Sequence, residues 1–228
     1  MRNSWDNVVE LRELVSKGAF INIERQSGIK PIHHAAKKGA IECLKYIIEE
    51  GKISVGELDK HGHQPLHHAA YEGRLNTCKF LVEHGADLKA NDCFNKQTPL
   101  HMAASSVYVD IVRLLLTSAN STGTKIVDMQ DIVMNTALHL SFIEKQIEVA
   151  YCFLENGASV DINNSENLTA LSVAQAMGFM DMNNKVAISP KSYSSENGND
   201  GAAYCLEDRD VSDVGIVGIA PELDGICN

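Results

Sequence analysis

One string of residues recurs in phase along this chain and restricts its fold more than any other feature. Pro31-Ile32-His33-His34-Ala35-Ala36 returns as Pro65-Leu66-His67-His68-Ala69-Ala70 and again as Pro99-Leu100-His101-Met102-Ala103-Ala104, both steps being 34 residues. Weaker copies follow at Ala137-Leu138-His139-Leu140 and Ala170-Leu171-Ser172-Val173-Ala174. A fixed period of this length is the signature of a repeat array, in which one supersecondary unit is copied end to end.

Each copy has the same internal order. A short helix closes on a glycine (Gly39, Gly73, Gly178), and a second helix follows with apolar residues at helical spacing, such as Leu44, Ile47 and Ile48 or Phe80, Leu81 and Val82. Another glycine ends that second helix at Gly18, Gly51, Gly85 and Gly157, with Ala119 standing in its place once. Proline at the start of the first helix suits a position whose N–H has no helical partner. Paired alanines let neighbouring helices approach closely. One helix pair alone cannot cover its apolar face, so successive copies must cover each other.

Gly85-Ala86-Asp87-Leu88 and Gly62-His63-Gln64-Pro65-Leu66-His67 resemble the helix exit and the TPLH helix entry of the ankyrin repeat family, and the resemblance runs over about residues 8–178. It implies an all-α solenoid of antiparallel helix pairs joined by β-hairpin fingers, with about four full repeats, partial terminal repeats and a concave binding face. The expected division is an ankyrin repeat domain over 1–182 and a low-complexity acidic tail over 183–228, read as disordered because its Ser, Asn, Gly and Asp cannot offset the entropy of ordering. Val214 to Pro221 is a brief apolar island within that tail.

The copies are not uniform. Residues 8–16 align with a second helix whose partner would precede the first residue, so either Trp5 and its neighbours cover the open edge or the chain is one portion of a longer array. About four extra residues around Asn120-Ser121-Thr122-Gly123-Thr124 predict a longer, mobile finger. Val107 and Lys145 replace the mid-repeat glycine in the third and fourth copies, which predicts strain if that turn needs a positive φ. In the last copy Asn183 and Lys185 fall where a second helix needs apolar residues, so that helix is not expected.

Composition narrows the function. The net charge is -10, of which the residues after Phe179 carry -6. Such a balance lacks the basic stripe that phosphate binding demands and argues against nucleic acid. No stretch approaches the roughly 18 apolar residues of a membrane span, and the first residues have no apolar leader. Six cysteines without a CxxC pair point to reduced thiols and a cytoplasmic or nuclear setting.

Histidine is the tempting chemical signal, since His33, His34, His67, His68, His101 and His139 recur in register. The resemblance places His33, His67, His101 and His139 at the TPLH histidine, which implies hydrogen bonding to backbone between repeats, and no metal site is expected. His34 and His68 are candidates for lining the groove. Cys78 and Cys152 occupy apolar helix positions, whereas Cys93, Cys205 and Cys227 are expected to be exposed; a nucleophile needs a base and an orienting group, and the histidines near Cys93 in the repeat frame are already assigned to structure. No GxGxxG, GxxxxGK[ST], GxSxG or HExxH string occurs. The chain is therefore read as a non-enzyme without a cofactor. Asn22 matches, by the resemblance, a position that an asparaginyl hydroxylase modifies in some ankyrin repeats; a hydrogen-bonding hairpin residue is the plainer reading.

Family members usually meet their partners through hairpin tips and the exposed side of the first helix. Transferred to this chain, the tips are Gln26, Ser27 and Ile29, then Lys60, His61 and His63, then Phe94, Asn95 and Gln97, then Ile132, Val133 and Asn135. The helix positions are Lys37 and Lys38, Tyr71 and Glu72, Ser105 and Ser106, and Ile143 and Glu144. This surface runs from basic through aromatic to apolar, which suits an extended peptide or a helical segment with an acidic end. The expected role is a monomeric scaffold, adaptor or inhibitor binding another protein. The alternatives are the sensor or anchoring part of a larger ankyrin-bearing protein such as a channel, and a cysteine-dependent enzyme.

Overall fold

The computed structural model describes residues 8–24 and 28–179, all within one compact unit, Met1–Ala187. Trp5, Gln26, Ser27, the last doubtful helix, Cys205, Cys227 and the acidic tail lie outside the described residues. Four complete helix pairs stand between two half-repeats. The helices are α1 (Val8–Ser16), α2 (Pro31–Lys38), α3 (Ile41–Lys45), α4 (Pro65–Tyr71), α5 (Leu75–Glu83), α6 (Pro99–Ala104), α7 (Val109–Thr122), α8 (Ala137–Ile143), α9 (Ile147–Glu155) and α10 (Ala170–Ala176). Helices α2, α4, α6, α8 and α10 touch in series, α1, α3, α5, α7 and α9 form a second row, and each pair closes across the rows.

The core is the seam between the rows. Leu44, Leu66, Leu81, Leu100, Leu115, Leu138 and Phe153 are fully buried along it, and the alanine pairs beneath the first helices are buried too. Where two helices meet at Ala, the backbones can approach until the next repeat's Leu fills the space between them.

Fingers connect the pairs, and they are turns more than hairpins. Antiparallel pairing among the described residues is limited to isolated bridges, Gln130 with Thr136 and Asn163 with Thr169. The four fingers from the second onward instead wrap their tips around one buried Asx side chain each, Asp59, Asp92, Asp131 and Asn164. Asp59 Oδ1 accepts from the N–H groups of His61 and His63, both at 2.9 Å. Asp131 Oδ1 takes those of Val133 and Asn135, and Asn164 Oδ1 those of Glu166 and Leu168. Asp92 Oδ1 accepts from Phe94 and Asn95, while its Oδ2 accepts from Gln97. Neighbouring tips are joined as well, since the N–H of Cys93 donates to His61 O, that of Ile132 to Asn95 O and that of Ser165 to Val133 O.

Two departures in the sequence resolve in the structure, the first against expectation and the second in part. The extra residues do not lengthen a finger. They extend α7 to 14 residues, against 9 in α5 and in α9, and Gly123 rather than Ala119 ends it with φ 68. The finger from Gly123 to Thr136 then has the same length as the one from Gly85 to Thr98. Hydroxyls explain how Ser and Thr stay helical there, because Thr117 and Thr122 bond back to carbonyls three and four residues earlier.

The mid-repeat turn is the second departure. Gly39 and Gly73 have φ 73 and 70, and Lys145 adopts the same left-handed conformation at φ 58, so the expected strain is present in the fourth copy. Val107 avoids it by a turn without positive φ, with α6 ending at Ala104. Gly73 is also held to glycine by space, since a Cβ there would lie 2.4 Å from the Tyr108 ring. In the first pair, α3 continues into a π-helical turn, Tyr46–Glu50, which passes the left-handed position from Gly51 to Lys52.

Candidate partner-binding face

The first-helix histidines tie one repeat to the next. Nδ1 of His33, His67, His101 and His139 accepts the backbone N–H of the residue three before it, Lys30, Gln64, Thr98 and Thr136. Nε2 of each meets a carbonyl of the following finger: Glu57 O, Ala90 O with Gln97 O, Asn135 O and Leu168 O. With Nδ1 accepting, the proton sits on Nε2, and the neutral ring bridges two repeats. Burial pushes all four below the ordinary histidine value, His67 and His101 to about 4. These side chains are structural, as the resemblance implied.

Cys43, Cys78 and Cys152 are buried, and none of them nor Cys93 forms a disulfide. Burial raises the Cys78 thiol to about 12 and raises that of Cys152, which leaves them protonated and poor nucleophiles. Cys93 is exposed at a fingertip, its sulfur lying over Gly62. Asn22 is exposed.

The side chains named for partner contact divide by what already holds them. Phe94 is 60% exposed, Ile132 53% and Tyr71 38%. Lys60 is exposed at the second fingertip, with its alkyl stem over Gly28. Lys37 reaches Glu72 at 3.4 Å, so the basic end is partly neutralised within the first two repeats. Lys38 is half-buried. Asn95 and Gln97 give their backbone to the finger network, leaving their side chains half-buried. Ser105 and Ser106 bond back to the carbonyls of His101 and Met102. Val133 is half-buried, and Ile143 packs against the core instead of standing clear of it. Asn135 is buried, its Oδ1 accepting from Asn164 Nδ2 at 2.9 Å.

His61 and His63 belong to a tighter group. The His61 ring lies 5.3 Å from that of Phe94, and His63 faces His67 and His68 at 5.7 and 5.4 Å. Asp59 Oδ2 is 2.9 Å from His68 Nε2 and 3.3 Å from His63 Nδ1. Burial alone would raise the Asp59 carboxyl, but hydrogen bonds from His63 and His68 outweigh it and hold the group well below the usual carboxylate range. Sequence reasoning treated these residues as separate tips and groove positions. The available signal was an Asp-x3-His-x4-His spacing confined to the second repeat.

Two further exposed apolar groups went unforeseen. Met134 stands at the fourth fingertip, held out by a left-handed backbone at φ 59. Leu75, Val107 and Tyr108 line a shallow groove of mixed polarity, with Asp110 and Glu148, at the turns between first and second helices.

A two-row stack of short helices, locked by buried histidines and fronted by Asx-wrapped fingers, is a repeat solenoid. Residues 6–92 match the model described as ankyrin repeats (3 copies), and residues 95–126 match the model of the single ankyrin repeat. The chain belongs to the ankyrin repeat family. No curated protein matches it significantly. Beyond residue 126 the same geometry continues, since Thr136 with His139 repeats the arrangement of Thr98 with His101. Repeats of this family are generally modules for binding other proteins and are typically not catalytic. Among the described residues no helix is long and apolar enough to cross a membrane.

Proposed function

We propose that this chain acts as a scaffold, adaptor or inhibitor by engaging one protein partner along the fingertips and first-helix faces of its second to fourth repeats. The observation that carries the reading is the series of large apolar side chains left exposed there, Tyr71, Phe94, Ile132 and Met134, on helix and finger backbone held by hydrogen bonds within the stack. Aromatic anchors on a rigid frame lose little entropy on binding, which is the usual composition of an interface hot spot. The partner fitted by this face is an extended or helical segment with apolar residues at its centre. The exposed Lys60 at the second fingertip favours an acidic flank. The lack of paired cysteine motifs supports a cytoplasmic or nuclear setting.

Site-specific photo-crosslinking in lysate tests the reading. A crosslinker at Phe94 or Ile132 should capture one common partner, while the same group at Val107, on the mid-repeat turn, should not. Capture from Val107 alone would move the interface to the Leu75 and Tyr108 groove.

A further inference from the structure

We propose that Asp59, His63 and His68 form a binding site for a divalent transition-metal ion of the zinc class, with Asp59 Oδ2, His63 Nδ1 and His68 Nε2 as ligands and a solvent-facing fourth position. The three ligand atoms lie within 4.8 Å of one another. Bonds of about 2.0–2.2 Å in tetrahedral geometry require ligand atoms about 3.3–3.5 Å apart. The Asp59–His63 separation of 3.3 Å already meets this, and the Asp59–His68 separation of 2.9 Å needs an opening of about half an ångström.

The surroundings are those of a prepared ligand set. Asp59 is buried, and its other oxygen is fixed by two backbone N–H bonds, so Oδ2 has one direction in which to point. The imidazoles are oriented by neighbours, His68 against His33 at 5.5 Å and His63 against His67 at 5.7 Å. The His63 and His68 side chains keep 16% and 17% of their surface exposed, which gives an ion an entry path and an open coordination position.

Without metal, both rings present N–H to the same carboxylate oxygen. A divalent ion takes the place of those two protons, and each ligating imidazole then carries its proton on the other nitrogen. Two neutral imidazoles with one carboxylate suit zinc, cobalt and nickel over magnesium or calcium, which favour all-oxygen sites. The set is special to the second repeat. At the positions of His63 and His68 the other repeats have Ile29 and His34, Gln97 and Met102, Asn135 and Leu140, or Leu168 and Val173. The site is independent of the partner-binding reading.

The test is a titration of the full reduced chain with cobalt(II) and then zinc(II), followed by visible absorption, calorimetry and long-range nitrogen NMR of the histidine rings. One cobalt per chain should bind with d–d bands of four- or five-coordinate geometry and be displaced by zinc. His63 Nδ1 and His68 Nε2 should shift as metal-bound nitrogens. His63→Gln and His68→Gln should each weaken affinity at least about tenfold, with His34→Gln unchanged and circular dichroism unaltered in all three. No stoichiometric binding would overturn the proposal. So would binding that survives both cluster substitutions, or a thiolate-to-cobalt charge-transfer band in its place, which would assign the ion to cysteine.

Discussion

At His101, Nδ1 takes the N–H of Thr98 at 3.2 Å and meets its hydroxyl at 2.8 Å, and Nε2 faces the carbonyl of Asn135. A second ring proton would point at a donor. Burial lowers the pKa to about 4, from 6.5, so below pH 6.5 the unfolded chain binds a proton that the folded chain refuses. Stability is therefore full above that pH and falls as pH drops toward 4, by up to about 1.4 kcal/mol per pH unit for one such group. Denaturant melts across pH 4 to 7 should show this slope, and NMR titration of the His101 ring should show no protonation above about 5; a ring titrating near 6.5 would contradict the geometry. A second prediction concerns Gln64, whose Oε1 is buried without a partner. It occupies the cap position that Thr98, Thr136 and Thr169 fill elsewhere. Gln64→Thr should restore the hydroxyl bond to His67 and raise stability by about 1 kcal/mol, read as a higher denaturation midpoint at unchanged slope. The recurring histidines were legible because they keep one spacing from the helix start. The Asx wraps were harder to read: Asp59, Asp131 and Asn164 each lie six residues before a helix start, but Asp92 lies seven before Pro99, the fourth of them is Asn and not Asp, and the first finger has Arg25 there.

The helix pairs behave as units whose interiors belong to their neighbours. Leu81 in α5 is fully buried in the seam, so Leu81→Ala should cost about 2 to 5 kcal/mol by opening a cavity that locked helices cannot close. Val107, 68% exposed, supplies the contrast, and Val107→Ala should change stability by under about 0.5 kcal/mol. Equal losses in chemical melts would mean that the seam is not where the stability resides. At this scale the sequence showed the number and order of elements but misplaced the insertion. Asn120, Ser121 and Thr122 have the composition of a loop. Yet Leu115, Leu116 and Ala119 hold the helical face buried up to that point, and the hydroxyls of the following residues stay with the helix backbone. Local composition and tertiary burial competed there, and burial prevailed.

Across the described stack, the residues that hold the seam are a different set from Tyr71 and Phe94, the central residues proposed for partner contact. The histidines, alanines and leucines face the seam or the next repeat, while Tyr71 and Phe94 project from a first helix and a fingertip. In a repeat array each copy is held by its neighbours' apolar faces, so removing a projecting ring leaves those interfaces intact. Tyr71→Ala should therefore weaken partner binding by about 1 to 3 kcal/mol while shifting unfolding by under about 1 kcal/mol. Adding Phe94→Ala should weaken binding further, again with little loss of stability, because neither ring fills the core. Calorimetry on the captured partner and denaturant melts on the free chain measure the two quantities separately. A Tyr71→Ala chain that unfolds would show the ring to be part of the seam. Full binding by the double variant would place the partner on another face, with the Leu75, Val107 and Tyr108 groove the next surface to substitute.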